Sequence, residues 1–141
     1  MGFLIDTNVL SELRKGLKAN VGVQNWFSNA DSNDLYISVL TLGEIRQGIE
    51  QLKRRDLQAS IALDLWLKQI EIASERLILP VTHTIAERWG YINVPDKMPV
   101  IDGFLAATAL VHDLTLVTRN IRDVERSGVK LLNPFSEDVR S

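Results

Sequence analysis

The chain has 141 residues, of which 45% are hydrophobic and 24% are charged, and its formal net charge is −2. A chain of this length and composition predicts one globular domain over residues 1–141 and excludes an intrinsically disordered protein. The sequence has no cysteine, which excludes disulfides, thiolate nucleophiles and cysteine-ligated zinc and leaves oxygen-rich side chains as candidates for chemistry.

Five short apolar runs alternate along the chain with segments typical of helices. The runs are, in chain order, Phe3–Ile5, Leu35–Leu40, Leu77–Val81, Leu114–Val117 and Val129–Leu132. Residues 57–74 carry apolar side chains close to the helical period. Strands that are apolar throughout and alternate with helices favour an α/β fold, with a parallel sheet covered on both faces.

Another helix is predicted to follow Asp102, over residues 103–111, and it is apolar on every face and therefore buried. This longest apolar segment is too short to cross a bilayer. The N-terminus lacks the basic region of a signal peptide, so a cytoplasmic protein without membrane contact is expected. The proline-containing loop of residues 93–99 is expected to fix how Asp102 is presented.

Four acidic residues directly follow the predicted strands or lie in the first turn of the helices after them. They are Asp6, Glu44, Asp102 and Asp123. Each has a local explanation: Asp6 can form an Asx turn or begin a helix, and Asp102 can cap the apolar helix. Thr41 and Glu44 match a capping box, and Asn120 and Asp123 resemble a second one.

Capping alone gives no reason for the four acids to share one edge of a sheet. The carboxyl ends of parallel strands meet at such an edge, where open α/β sheets bind their ligands. Converging carboxylates beside a buried helix repel one another and lose solvation, and a divalent cation relieves both effects. Because oxygen ligands suit Mg²⁺ or Mn²⁺, the pattern predicts a metal site made by these acids.

Polar and basic residues flank the acids and are candidates for substrate contacts. Thr7, Asn8, Thr118 and Asn120 can orient metal-bound water or a phosphate, although turn formation and capping explain them equally well. Arg46 and Arg119 can each reach a phosphate, and Arg46 can instead pair with a nearby acid.

Other features are interpreted as structural. His83 follows an apparent strand, and His112 closes a helix, where its partial charge suits the dipole. Residues 43–48 resemble a phosphate-binding loop but lack the Lys and Ser or Thr that such a loop needs. The basic cluster of residues 53–55 is interpreted as a solvated turn rather than an RNA contact.

At these residues the chain resembles the PIN-domain nucleases, in particular the VapC toxins of bacterial toxin–antitoxin pairs and their FitB-like branch. The matching segments span nearly the whole chain in the family's order: Leu4–Leu10, Ser38–Gly48, Ile101–Ala109, Leu116–Asp123 and Gly128–Phe135. Each segment is common by itself, so the resemblance depends on their joint occurrence.

The resemblance implies a three-layer α/β/α fold whose parallel five-stranded sheet has the order 3-2-1-4-5. It also implies that the four acids bind the metal and that the hydroxyl of Thr118 supports them. Val124 follows Asp123 where the family usually has Phe. Family members form homodimers and are inhibited by a small antitoxin, whose tail enters the acidic groove and whose N-terminal part binds operator DNA. The same partners are expected here.

The sequence therefore predicts the toxin of a type II toxin–antitoxin pair, an endoribonuclease that hydrolyses RNA phosphodiester bonds with Mg²⁺ or Mn²⁺. One alternative is a FitB-like protein that acts mainly in an antitoxin-bound DNA-binding complex and has weak nuclease activity. Another is a phosphatase-like hydrolase on a doubly wound sheet. Enzymes of that class have the motif Asp-x-Asp after the first strand, whereas this sequence has Asn8 in place of the second acid.

Overall fold

The computed structural model of the protein describes residues 2–137, which contain five β-strands and seven α-helices. The strands are Phe3–Ile5 (β1), Leu35–Ser38 (β2), Ile78–Leu79 (β3), Thr115–Val117 (β4) and Leu131–Leu132 (β5). The helices are Thr7–Leu13 (α1), Val21–Asn29 (α2), Val39–Lys53 (α3), Leu57–Ala73 (α4), His83–Ile92 (α5), Val100–His112 (α6) and Ile121–Val124 (α7).

The five strands form one parallel sheet in the order β3-β2-β1-β4-β5. The central strand β1 pairs with β2 and β4, so that Leu4 lies between Tyr36 and Leu116. This confirms the predicted strand order. It also places the carboxyl ends of β1, β2 and β4 side by side, as convergence of the acids requires.

Successive side chains of β1 enter opposite faces of the sheet, and each face has its own core. Ile5 packs with residues of α1, α2, α3 and α4, whereas Leu4 packs with residues of α6 and α7. Both side chains are buried. Helix α5 covers the second face further by packing against α6. The three-layer α/β/α prediction is confirmed.

Helix α6 is the most buried helix of the second face, with Leu105, Ala106 and Ala109 fully enclosed. It begins at Val100, because Pro99 occupies the N-cap position in an extended conformation and accepts a hydrogen bond from Gly103. Asp102 therefore lies inside the first turn, and the alternative explanation, that it caps a helix starting at residue 103, does not apply. The helix ends at His112, as expected.

Several predicted boundaries shift by a few residues. Strand β2 stops at Ser38, whose hydroxyl accepts a hydrogen bond from the backbone N–H of Leu40 and caps α3. The third strand is shorter than predicted, and α4 ends one residue before Ser74. Residues 53–55 are exposed, as expected: Lys53 is the last residue of α3, and Arg54 and Arg55 form the turn that leads to α4. Within residues 2–137, no helix is both long and apolar enough to cross a membrane.

Candidate carboxylate site

Asp6 stands where β1 ends and α1 begins, and it is only 4% exposed. Its Oδ1 accepts a hydrogen bond of 2.6 Å from the backbone N–H of Thr7, so the predicted helix start at Asp6 is confirmed. Its Oδ2 accepts hydrogen bonds from the hydroxyl of Thr118 at 2.6 Å and the amide of Asn8 at 3.1 Å. Burial raises the pKa of Asp6, while these three donors oppose the rise.

Thr118 and Asn8 connect the ends of the neighbouring strands β1 and β4. Thr118 is buried, and its Oγ1 also accepts a hydrogen bond from the backbone N–H of Asn120 at 3.0 Å. The Oδ1 of Asn8 accepts a hydrogen bond of 3.3 Å from the backbone N–H of Arg119. Both residues are therefore placed to hold the Asp6 carboxylate in one orientation.

Glu44 enters the site from α3, one turn beyond the end of β2. Its carboxylate accepts a hydrogen bond from the hydroxyl of Thr7, the residue after Asp6. The alternative of a capping box therefore does not apply, because Ser38 caps α3 and Glu44 accepts its hydrogen bond from α1. Thr41, the other half of that box, is fully buried and its hydroxyl has no hydrogen-bond partner among the described residues.

Asp102 lies in the first turn of α6, where the charges of the three other acids reach it. Its pKa is raised from 3.8 to about 6, first by desolvation and then by the negative charges of Asp6, Asp123 and Glu44. Each of these acids is therefore close enough to Asp102 to disfavour its ionised form. The structure brings near one another all four acids that the sequence singled out: Asp6, Glu44 and Asp123 lie in the segments that follow β1, β2 and β4, and Asp102 lies in the first turn of α6.

Asp123 reaches the site from the short helix α7. Asn120 stands at the N-cap position of this helix, but its side chain makes no capping hydrogen bond. The predicted capping pair of Asn120 and Asp123 is therefore not formed. The Asn120 side chain remains exposed beside the site.

The two arginines that were candidates for a phosphate contact have different surroundings. Arg46 forms an ion pair of 2.9 Å with Asp64 of α4 and a weaker one of 3.5 Å with Glu50. The alternative that Arg46 pairs with a nearby acid is thus confirmed, and these ion pairs direct its guanidinium toward α4. Arg119 is exposed and lies over the ring of Phe135, 4.3 Å from its centroid. The sequence pattern gave no sign of this contact.

The acids fit a divalent cation by chemistry and charge. Among residues 2–137, no group of three or more His, Asp and Glu side chains is close enough to surround an ion by itself. Mg²⁺ usually keeps several waters and is held by one or two carboxylates, so such a closed group is not required. Within the same range none of the four acids forms an ion pair with a Lys, Arg or His. The charge of the four acids is therefore not neutralised by an ion pair within these residues.

Comparison with known families agrees with this arrangement. A family model described as the PIN domain matches residues 3–127. The chain belongs to the PIN-domain family. The match contains the central strand of the sheet, all four acids and Thr118.

Relatives match this PIN domain over nearly their whole length. Toxin FitB of Neisseria gonorrhoeae is 32% identical over 143 residues, which cover 95% of this chain and 99% of the relative. VapC ribonuclease Y4jK of Sinorhizobium fredii is 26% identical over 136 residues, covering 94% of this chain and 96% of the relative. A solved structure of FitAB bound to an IR36 DNA fragment has a TM-score of 0.83 at 26% identity, with 99% of both chains covered. The predicted resemblance to FitB and VapC toxins is confirmed.

Proposed function

We propose that this PIN domain is the toxin of a type II toxin–antitoxin pair and an endoribonuclease that hydrolyses RNA with Mg²⁺ or Mn²⁺. The observation that carries the proposal is that Asp6, Glu44 and Asp123 lie close enough to Asp102 for their negative charges to add to the rise in its pKa that desolvation causes. Relatives named as a toxin and as a ribonuclease support it.

The proposed roles follow from the burial and contacts of each acid. Asp6 and Asp102 would hold the cation directly, because Asp6 is buried in a fixed orientation and Asp102 is partly desolvated beside the negative charges of the three other acids. Glu44 would be a further ligand or would orient the attacking water. Asp123 would act at a second cation or through a water. When bound, the cation supplies Lewis-acid activation of water and stabilises charge on the leaving 3′ oxygen.

The remaining polar residues would orient the acids and the RNA. Thr118 and Asn8 hold Asp6 through hydrogen bonds and would keep its free lone pairs directed into the site. Arg119 and Asn120 are exposed at the end of β4 and would contact phosphates of the substrate. Hydrolysis in this arrangement leaves a 5′ phosphate and a 3′ hydroxyl.

The proposed partners are a second copy of the chain and a small antitoxin. The antitoxin would neutralise the acidic site with its C-terminal tail and bind operator DNA with its N-terminal part, forming a hetero-oligomer with the homodimer in the cytoplasm. Similarity to a DNA-bound FitAB complex supports the assembly with DNA.

Mapping RNA 5′ ends in cells tests the activity and the substrate together. Wild-type protein and Asp6→Asn would be induced briefly, and new 5′ phosphate ends would be sequenced in total RNA. The proposal predicts a short set of cut sites with wild type and none with Asp6→Asn at equal protein level. Glu71→Gln, a change at an exposed acid of α4, is the control and should give the wild-type set. The same sites with Asp6→Asn would show that the carboxylate site does not cut RNA.

The alternative of a FitB-like protein with weak nuclease activity is favoured by the 32% identity to Toxin FitB. It predicts no new cut sites on induction of the wild type, together with tight operator binding when the chain is co-purified with its antitoxin. A gel-shift experiment with the upstream DNA of its own gene, run beside the 5′-end mapping, separates the two functions.

A further inference from the structure

Residues 133–136, which we call the C-terminal strap, lie across the start of α2. Asn20, the N-cap residue of α2, donates a hydrogen bond to the carbonyl of Ser136 at 3.0 Å and accepts one from its backbone N–H at 2.9 Å. The same side-chain oxygen accepts from the backbone N–H of Gly22 at 2.9 Å. One side chain therefore caps the helix and fastens the strap.

The absence of a side chain at Gly22 allows the strap to approach α2. A Cβ at this position would collide with the carbonyl oxygen of Pro134 and the backbone nitrogen of Ser136. Pro134 is buried at the contact. Because both colliding atoms belong to the backbone, no side-chain rotation could relieve the clash, and the strap would have to move.

The strap holds Phe135 against the core that contains Ile5, and the guanidinium of Arg119 lies over the face of the Phe135 ring. A guanidinium 4.3 Å from a ring centroid is in the range of a cation–π interaction. Within residues 2–137, no carboxylate lies within 4.0 Å of the Arg119 guanidinium. The hydrogen bond from Lys15 is the main cause of the lowered pKa of Glu12, and the charge of Arg119 adds to it. Glu12 is already paired with Lys15 at 2.9 Å. The cation of Arg119 thus remains available to an anion.

The backbone of Arg119 is fixed to the carboxylate site. It follows Thr118, which donates to Asp6, and its N–H donates to Asn8, which also donates to Asp6. Both ends of the Arg119 residue are therefore restrained, the backbone by the site and the guanidinium by Phe135. A restrained side chain loses less conformational entropy when it binds a ligand than a free one does.

We propose that Phe135, held in place by the C-terminal strap, is a positioning residue that presents Arg119 to an RNA phosphate at the rim of the carboxylate site. This inference rests on the proposed RNA cleavage. The strap acts on substrate affinity and leaves the chemical step alone, because Phe135 acts through the Arg119 guanidinium over its ring and packs on its other side against the core.

Steady-state kinetics on a single-stranded RNA oligonucleotide containing one mapped cut site test the inference. Phe135→Leu, which keeps an apolar side chain but removes the aromatic face, should raise KM about two- to fivefold with kcat within about twofold. Phe135→Tyr should restore KM toward the wild-type value. Arg119→Gln should raise KM about tenfold through loss of a charge-assisted contact, and adding Phe135→Leu to it should change KM no further.

Moving the strap without altering Phe135 or Arg119 gives an independent test. Gly22→Ala should raise KM like Phe135→Leu, because the new Cβ displaces the strap. Gly48→Ala is the matched control, since it is also a helical glycine and its added Cβ meets nothing within 4 Å. Gly48→Ala should leave KM unchanged.

Each outcome bears on the inference. If Phe135→Leu lowers kcat and the melting temperature with KM unchanged, or raises KM equally in the Arg119→Gln background, the ring is merely structural and the inference is wrong. Unchanged KM in Arg119→Gln, together with weaker antitoxin binding, would show that the Arg119 cation binds the antitoxin and would also overturn the inference.

Failure of the proposed function gives a different result, because the wild type would then not cut the oligonucleotide. In that case binding of the same RNA by fluorescence anisotropy must still weaken with Phe135→Leu for the inference to stand.

Discussion

The hydroxyl of Thr118 donates a hydrogen bond of 2.6 Å to the buried carboxylate of Asp6, across 112 residues of sequence. This bond joins the ends of the neighbouring strands β1 and β4. It also gives one of the four acids a fixed orientation before any cation binds. The stability of the fold and the geometry of the site therefore depend on the same contact.

Thr118→Val should destabilise the protein at neutral pH by about 1–3 kcal/mol, because the ionised Asp6 loses a donor while remaining buried. The pKa of Asp6 should rise further, so the loss should shrink as the pH falls and the carboxylate becomes protonated. Urea denaturation at neutral and acidic pH measures both effects. Thr118→Ser keeps the hydroxyl and is the control. Equal stability of Thr118→Val and wild type at neutral pH would show that the bond contributes nothing.

Asp102→Asn should stabilise the protein in the absence of divalent cations. The pKa of Asp102 is about 6 in the folded chain and ordinarily 3.8, so ionisation favours the unfolded state. The cost to the folded state appears as the pH rises from 3.8 to about 6 and is complete above that range. Because Asp102 is only partly buried and solvent screens its charge, we expect a gain of about 1 kcal/mol at neutral pH.

Below pH 3.8, the free energies of unfolding of wild type and Asp102→Asn should be almost equal, because Asp102 is then protonated in both the folded and the unfolded chain. Chemical denaturation across this pH range, in the presence of a chelator, makes the measurement. Glu71→Gln removes an exposed acid and should give no such pH-dependent gain. Stabilisation by Asp102→Asn that is the same at all pH values would contradict the repulsion described here.

With divalent cations present, the wild type should become more stable than the Asp102→Asn variant. If the acids bind Mn²⁺ or Mg²⁺ in the folded state only, a concentration about 100 times the dissociation constant adds about 2.7 kcal/mol. The melting temperature of the wild type should therefore rise with added Mn²⁺, and that of the Asp6→Asn, Asp102→Asn double variant should not. Scanning fluorimetry checks this without any assay of activity. Equal shifts in wild type and double variant would place cation binding elsewhere.

Thr41→Val tests the capping box directly. In the structure the Thr41 hydroxyl is buried without a partner in the described residues, so replacing it by a methyl group of similar shape should stabilise the protein by about 1 kcal/mol. If Thr41 instead caps α3, as the sequence suggested, the substitution should cost about 1 kcal/mol. Thermal melting decides the sign. Ser38→Ala, which removes the cap seen in the structure, should destabilise both the wild type and the Thr41→Val variant.

Most of the fold could be predicted from the sequence because its strands are short, apolar and followed by polar residues. The run Phe3–Ile5 followed by Asp6 already indicates a buried strand that ends at a polar edge. The strand order came from the family resemblance, since periodicity alone does not say which strands are neighbours. Once β1 lies between β2 and β4, the meeting of Asp6, Glu44 and Asp123 follows from topology, whereas the place of Asp102 depends on how α6 packs on the sheet.

The interpretations that failed are those in which a local pattern competes with a contact distant in sequence. Glu44 lies at capping-box spacing from Thr41, but it accepts a hydrogen bond from Thr7, 37 residues away. Arg46 is close in sequence to Glu44 but turns toward Asp64 on the adjacent helix. The contact of Arg119 with Phe135 has no sequence signal at all, because it depends on how the C-terminal strap crosses α2.

Cleavage of RNA by the purified protein is the most direct test of the central claim, that the four acids form one cation-dependent hydrolytic site. Wild type and Asp6→Asn, matched for folding by circular dichroism, would be incubated with RNA in Mn²⁺, in Mg²⁺ and in excess chelator. We expect cleavage by wild type with either cation, leaving 5′ phosphate ends, and none in chelator or with Asp6→Asn. Cleavage that persists in chelator, or that Asp6→Asn retains at the wild-type rate, would contradict the account.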